Sequence, residues 1–171
     1  RSKARYLSAA PEGTQEDGKM RGRRNAMTHR IHILNGPNLN KLGKREPEIY
    51  GYTTLAEVEG WCREAARGPL EFRQSNQEGV LVDMIHEAEE EADGLIFNPA
   101  GYSFTSVALF DALKIFEGPK IELHISNIHA RDALHSHSVL SAAMTAVICG
   151  LGPRGYLTAM QAMYEMLDAR S

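Results

Sequence analysis

Cysteine is scarce in this chain. Its 171 residues include only Cys62 and Cys149, and their spacing matches neither a metal site nor a disulfide framework. A reduced, cytoplasmic protein is the reading that fits, with both thiols expected as small core residues. No apolar run is long enough to cross a bilayer. No signal-peptide pattern precedes the first strand-like segment, and no internal repeat is present. Membrane-spanning, secreted and solenoid classes are thereby set aside. What is there is 43% hydrophobic and 24% charged, which suits one globular domain with an ordinary core.

Charge is unevenly spread. The net value is −3, yet residues 1–30 carry eight Lys/Arg against three Asp/Glu. The remainder is acidic, which argues against a nucleic-acid surface. Residues 1–29 are expected to be a disordered basic extension, with Met27 a candidate original start. A single domain is expected over residues 30–171.

Within that domain, strand and helix patterns alternate. Strands are expected at 30–35, 70–74, 94–98, 119–125 and 143–149. Helices are expected at 53–67, 77–92, about 104–116 and 154–168. Thr53 or Thr54 supplies the first N-cap. The acid run Glu87, Glu89, Glu90, Glu91 reads as a solvated helix face. Apolar, non-alternating strands between helices imply an α/β fold whose parallel sheet is covered on both sides.

The richest segment is ELHISNIHAR, residues 122–131. A strand runs directly into Ser126, Asn127, His129 and Arg131. Glu122 and His124 are two apart, so on a strand they share a face. That spacing lets a carboxylate orient an imidazole, the wiring of a general acid or base. Two other strand ends are polar in the same way: Asn35-Gly-Pro-Asn38 and Asn98. In a parallel sheet such ends share one rim, where ligands bind. Several amides aimed at one point suit a carboxylate or a developing oxyanion.

The loop over 36–52 is longer than most connections and suggests a lid. It carries Arg45 and Tyr50. A nearby guanidinium would lower the tyrosine pKa and make a tyrosinate base, whereas a surface pairing of Arg45 with Glu46 or Glu48 is the plain alternative. The histidines at 124, 129, 135 and 137 do not form a recognisable metal set. Residues 150–155 (GLGPRG) match a phosphate loop too loosely and read as a turn.

Taken together, ILNGPNLN (33–40), LGKREPEIYG (42–51), QSNQEG (74–79), NPAGYSFTSVAL (98–109), ELHISNIHAR and GLGPRGY (150–156) resemble the type II 3-dehydroquinate dehydratases. The resemblance implies a flavodoxin-like fold with a five-stranded parallel sheet. It also implies assembly as a homo-dodecamer of four trimers, and no metal or organic cofactor. The reaction implied is dehydration of 3-dehydroquinate to 3-dehydroshikimate, in the shikimate or quinate pathway. Tyr50 would then be the base, helped by Arg45, and Asn38 would steady an enolate through water. His124, held by Glu122, would be the acid. Asn98 and the backbone N–H groups of Ile125 and Ser126 would grip the substrate carboxylate. Arg131 would contact the diol end, and Asp111 would reach a neighbouring subunit's site.

Two positions depart from the family pattern. Phe104 stands where His is usual, and His135 where Arg is usual; both usual residues would read the ring hydroxyls. Phenylalanine cannot donate a hydrogen bond, and His shortens the reach and removes a permanent charge. A relative acting on a less hydroxylated cyclic hydroxy-ketoacid therefore stands as a second reading. A non-catalytic binding or scaffold protein is a third, although a paired acid and base is more than binding requires.

Overall fold

The computed structural model describes residues 28–44 and 51–170. Five strands form one sheet: β1 Ile31–Asn35, β2 Leu70–Gln74, β3 Gly94–Asn98, β4 Lys120–His124 and β5 Ala146–Cys149. Their order is β2-β1-β3-β4-β5, with every pair parallel. Four α-helices are described: α1 Leu55–Ala65, α2 Glu78–Glu91, α3 Val107–Ile115 and α4 Gly155–Asp168. The chain is thus a doubly wound α/β domain of the flavodoxin-like order. The order in which strands are added reverses between β1 and β3, which places a crevice at their carboxyl ends.

Alternation along the strands divides the core in two. Ile31, Ile33, Ile121 and Leu123 point toward α1 and α4, where they meet Val58, Cys62, Met160 and Met163. Leu34, Leu95 and Phe97 point toward α2 and α3, against Leu81, Ile85, Leu109 and Leu113. β1 and β3 are buried at every residue, whereas edge strands β2 and β5 are only partly covered. That is what a sheet covered on both faces produces at its centre and its margins.

Local sequence sets the helix starts. Thr54 caps α1 in a capping box, its hydroxyl accepting from the Glu57 N–H while the Glu57 carboxylate accepts from the Thr54 N–H. Ser106 caps α3 by accepting from the Leu109 N–H at 2.9 Å. The expected helix over 104–116 therefore begins later than its apolar pattern suggests. A 3₁₀ turn, Ala100–Phe104, precedes it, because Ser106 competes for the backbone and stops the helix there. Likewise β5 begins at Ala146, after a 3₁₀ turn at Leu140–Ala143.

One core expectation needs correction. Cys62 is buried, and burial raises its thiol pKa to about 12, but Cys149 is only partly buried because β5 is an edge. Ala65 is exposed at the last turn of α1. Tyr156, in the first turn of α4, is wholly buried.

One contact ties the strand ends together. The Gly36 N–H donates to the Asn98 carbonyl at 2.7 Å. A Cβ at residue 36 would lie 2.4 Å from the Pro99 carbonyl oxygen, so only glycine permits this approach.

Candidate active site

At the carboxyl rim of the sheet lies a cavity of about 280 Å³. Its walls come from three strand ends. Asn38 and Leu39 follow β1, Asn98 ends β3, and His124, Ile125 and Ser126 end β4. Phe104, Arg131 and His135 close the remaining side. Of the polar residues expected to converge there, Asn38, Asn98, Ser126 and Arg131 line the cavity, and Asn35, Asn127 and His129 do not.

Glu122 and His124 face the same way, as their spacing requires. Glu122 is fully buried and His124 is 5% exposed. Their Oε1 and Nε2 atoms are 2.7 Å apart. The second carboxylate oxygen of Glu122 accepts from the Ser141 hydroxyl at 2.5 Å. Burial alone would raise the Glu122 pKa, but hydrogen bonds from His124, Ser138 and Ser141 outweigh it and hold the carboxyl below its ordinary value. An ionised Glu122 can only accept, so His124 donates through Nε2–H. Nδ1 is then the nitrogen left for the cavity.

The turn after β4 is held by backbone bonds. The Ile125 carbonyl accepts from the Gly152 N–H at 2.9 Å, and that of His124 accepts from the Gly150 N–H at 3.2 Å. The 3₁₀ turn Ile128–Ala130 is capped by Asn127, which accepts from the His129 N–H at 3.1 Å. GLGPRG is thus the turn leading into α4, and its glycines pin the site strand rather than cradle a phosphate.

Asn38 holds a left-handed backbone, φ 67°. Its N–H donates to the Asn76 side chain at 2.9 Å, which leaves the Asn38 amide at the cavity wall. Phe104 sits between two imidazoles. Its ring is stacked with His124 at a centroid distance of 6.5 Å and edge-on to His135 at 5.3 Å. His135 is not turned wholly toward the cavity, since its Nδ1 lies 2.9 Å from both Asp132 carboxylate oxygens.

Asp111 lies exposed on α3 and does not line this cavity. Arg45 and Tyr50 lie outside the described residues, as does nearly all of the basic extension. Its last residue, His29, is buried and 3.3 Å from the Asp168 carboxylate. Among the described residues no group of three or more His, Cys, Asp or Glu could hold a metal ion. No described helix is long and apolar enough to cross a membrane.

Sequence reasoning missed the supports behind the cavity. Ser138 and Ser141 approach Glu122 from a loop with no recognisable pattern. Tyr156 reaches Asn98 from the first turn of α4, with its hydroxyl oxygen 2.9 Å from the Asn98 amide nitrogen. The one available signal was Asn35, a polar residue ending a wholly buried strand.

The chain matches the family model Dehydroquinase class II over residues 29–164. It is 51% identical over 145 residues to a 3-dehydroquinate dehydratase of Chelativorans sp., covering 82% of this chain and all of that protein. It is 52% identical over 147 residues to one from Marinomonas sp., covering 81% and 98%. The crystal structure of a type II dehydroquinase from Propionibacterium acnes superposes with a TM-score of 0.76 at 40% identity, covering 81% of this chain and 98% of that one.

Proposed function

The chain belongs to the class II dehydroquinase family, and on that premise we propose that it dehydrates 3-dehydroquinate to 3-dehydroshikimate and water. The observation that carries this reading is the buried Glu122–His124 pair, 2.7 Å apart, opening onto an amide-lined cavity.

In this reading Tyr50, as its phenolate with Arg45 beside it, removes a proton from C2 of the substrate. The C3 ketone becomes an enolate, which Asn38 steadies through a water molecule. Collapse of the enolate restores the ketone, forms the C1–C2 double bond and expels the C1 hydroxyl. His124 supplies the proton that turns that hydroxyl into water, acting through Nδ1 as an imidazolium whose charge Glu122 balances. Such a positioned acid contributes about 10²–10⁴ in rate. Asn98 and the N–H groups of Ile125 and Ser126 hold the substrate carboxylate. Arg131 and His135 face the diol end beside Phe104. Asp111 reaches the site of a neighbouring subunit in a homo-dodecamer, and the protein works in the cytoplasm. No resident metal or organic cofactor takes part in this scheme.

Purified protein incubated with 3-dehydroquinate is expected to generate enone absorbance, and Tyr50→Phe to abolish it. Absence of turnover in the unmodified chain would sink the reading. One observation favours a second: Phe104 puts a ring without a donor against His124, while Asp132 engages His135. A less hydroxylated cyclic hydroxy-ketoacid would suit that wall. In that case Phe104→His with His135→Arg would convert an inert protein into a dehydroquinase.

A further inference from the structure

Asn98 is fixed from behind by a chain of hydrogen bonds whose direction can be worked out. The Arg73 carbonyl on β2 can only accept, and it accepts from the Asn35 amide nitrogen at 3.0 Å. Asn35 therefore turns its carbonyl oxygen the other way, where the Tyr156 hydroxyl donates to it at 2.7 Å. With its proton committed, the Tyr156 oxygen can only accept, and it does so from the Asn98 amide nitrogen at 2.9 Å. The Asn98 carbonyl oxygen accepts from the Ala100 N–H at 3.3 Å. One N–H of the Asn98 amide is left over, and Asn98 lines the cavity.

The members of this chain are deeply buried: Asn35 and Tyr156 are 0% exposed and Asn98 is 3%. Burial pushes the Tyr156 phenol far above its ordinary pKa, so its proton stays in place to donate. Ala100 holds a left-handed φ of 50°, a strained conformation for a residue with a Cβ, and its N–H is the group that secures the Asn98 oxygen. Asn35 and Tyr156 are enclosed, so water does not reach them to scramble these donors.

We propose that Asn35 and Tyr156 are positioning residues that lock the Asn98 amide with an N–H, never its carbonyl oxygen, toward the anionic group of the substrate. This rests on the dehydroquinase reading for the identity of that group, a carboxylate. A flipped Asn98 would present a lone pair to the anion and repel it, so the lock decides affinity rather than the chemical step. Tyr156 and Asn35 act only through Asn98.

The test is a kinetic double-mutant cycle on 3-dehydroquinate with Tyr156→Phe, Asn98→Ala and the pair. Tyr156→Phe is expected to raise KM about tenfold with kcat within about twofold, the signature of lost uniform binding. In the Asn98→Ala background the same change is expected to leave KM unmoved. An unchanged KM in the single variant, or effects that multiply in the pair, overturns the lock. Should Tyr156→Phe not fold, Asn35→Ala frees the hydroxyl to turn and is read by the same criteria. A second readout needs no turnover. Hydrogen exchange at the Ala100 amide should quicken in Tyr156→Phe while β1 and β3 amides hold their protection. Uniform quickening, or none, counts against the lock. Wild-type protein that fails to turn over 3-dehydroquinate overturns the dehydroquinase reading alone, and the exchange result then decides the lock.

Discussion

His124 and His32 are two imidazoles buried on the same face of the same sheet, each within reach of a carboxylate, and their surroundings differ completely. His124 ends β4 with Nε2 2.7 Å from Glu122, which is itself held by serines. His32 sits near the start of β1, 1% exposed, and neither ring nitrogen has a hydrogen-bond partner among the described residues. Its Nε2 is 3.9 Å from the Glu91 carboxylate. Burial lowers its pKa, Glu71 and Glu91 oppose that, and Arg30 and Arg73 add to it. A buried imidazole is thus either an instrument or a burden. What separates the two is whether the neighbouring carboxylate is also buried and itself held.

The contrast is broken most strongly at His124. His124→Asn, at the proposed general acid, should lower kcat by about 10²–10⁴, with folding checked by circular dichroism; retention of most activity would remove it from that role. Glu122→Gln should cost about 10² in kcat, since the amide keeps a polar contact but cannot balance an imidazolium charge. It should also alter acid stability. The Glu122 carboxyl is held below its ordinary pKa in the folded state, so its contribution is present above the unfolded value, near 4.5. That contribution is lost as pH falls through the lower folded value. Urea titrations of both proteins between pH 6 and pH 3 measure this, and parallel curves would refute it.

At the other imidazole the slope has the same sign but begins at a higher pH. The folded-state pKa of His32 is depressed, so between that value and 6.5 the unfolded chain binds more protons. Stability is then full above pH 6.5 and declines as pH falls below it. His32→Leu should stabilise the fold by about 1–2 kcal/mol near neutrality, by removing unsatisfied polar atoms, and should flatten that decline while leaving kcat in place. A variant whose stability still falls as steeply between pH 6.5 and pH 5 would show that other groups set the slope. The smallest effect is expected from Glu91→Gln. Glu91 is half exposed, so its help to a protonated His32 is worth a few tenths of a kcal/mol. Denaturation midpoints should fall further at pH 5.5 than at pH 8, where only the exposed Arg30–Glu91 pair is lost.

Much of the carboxyl rim was legible in the sequence because its cues are local. Residues two apart on a strand must share a face, which foretold the Glu122–His124 contact. Apolar, non-alternating strands foretold a parallel sheet, and therefore that Asn38, Asn98 and Ser126 would meet at one end of it. The supports were not legible, because their partners are distant in the chain. Tyr156 lies 58 residues from Asn98, and nothing at either position announces the other. Ser106 carried a readable signal, but the apolar pattern beginning at 104 masked it and set the helix start too early. His32 was read simply as part of a strand. Pattern alone does not tell a satisfied buried polar group from an orphaned one.

Gly36 bears on how this scaffold can be re-engineered. Because its peptide is fastened to the end of β3, the two loops flanking the cavity are not separate modules. A segment transplanted from a relative has to begin at Pro37 or later. One that replaces residue 36 with anything larger forces the β3 turn out of place and disturbs the amide at Asn98 without touching it. On the outboard side of that weld the residues around Asn38, Arg45 and Tyr50 are negotiable, and the loop's anchorage is not.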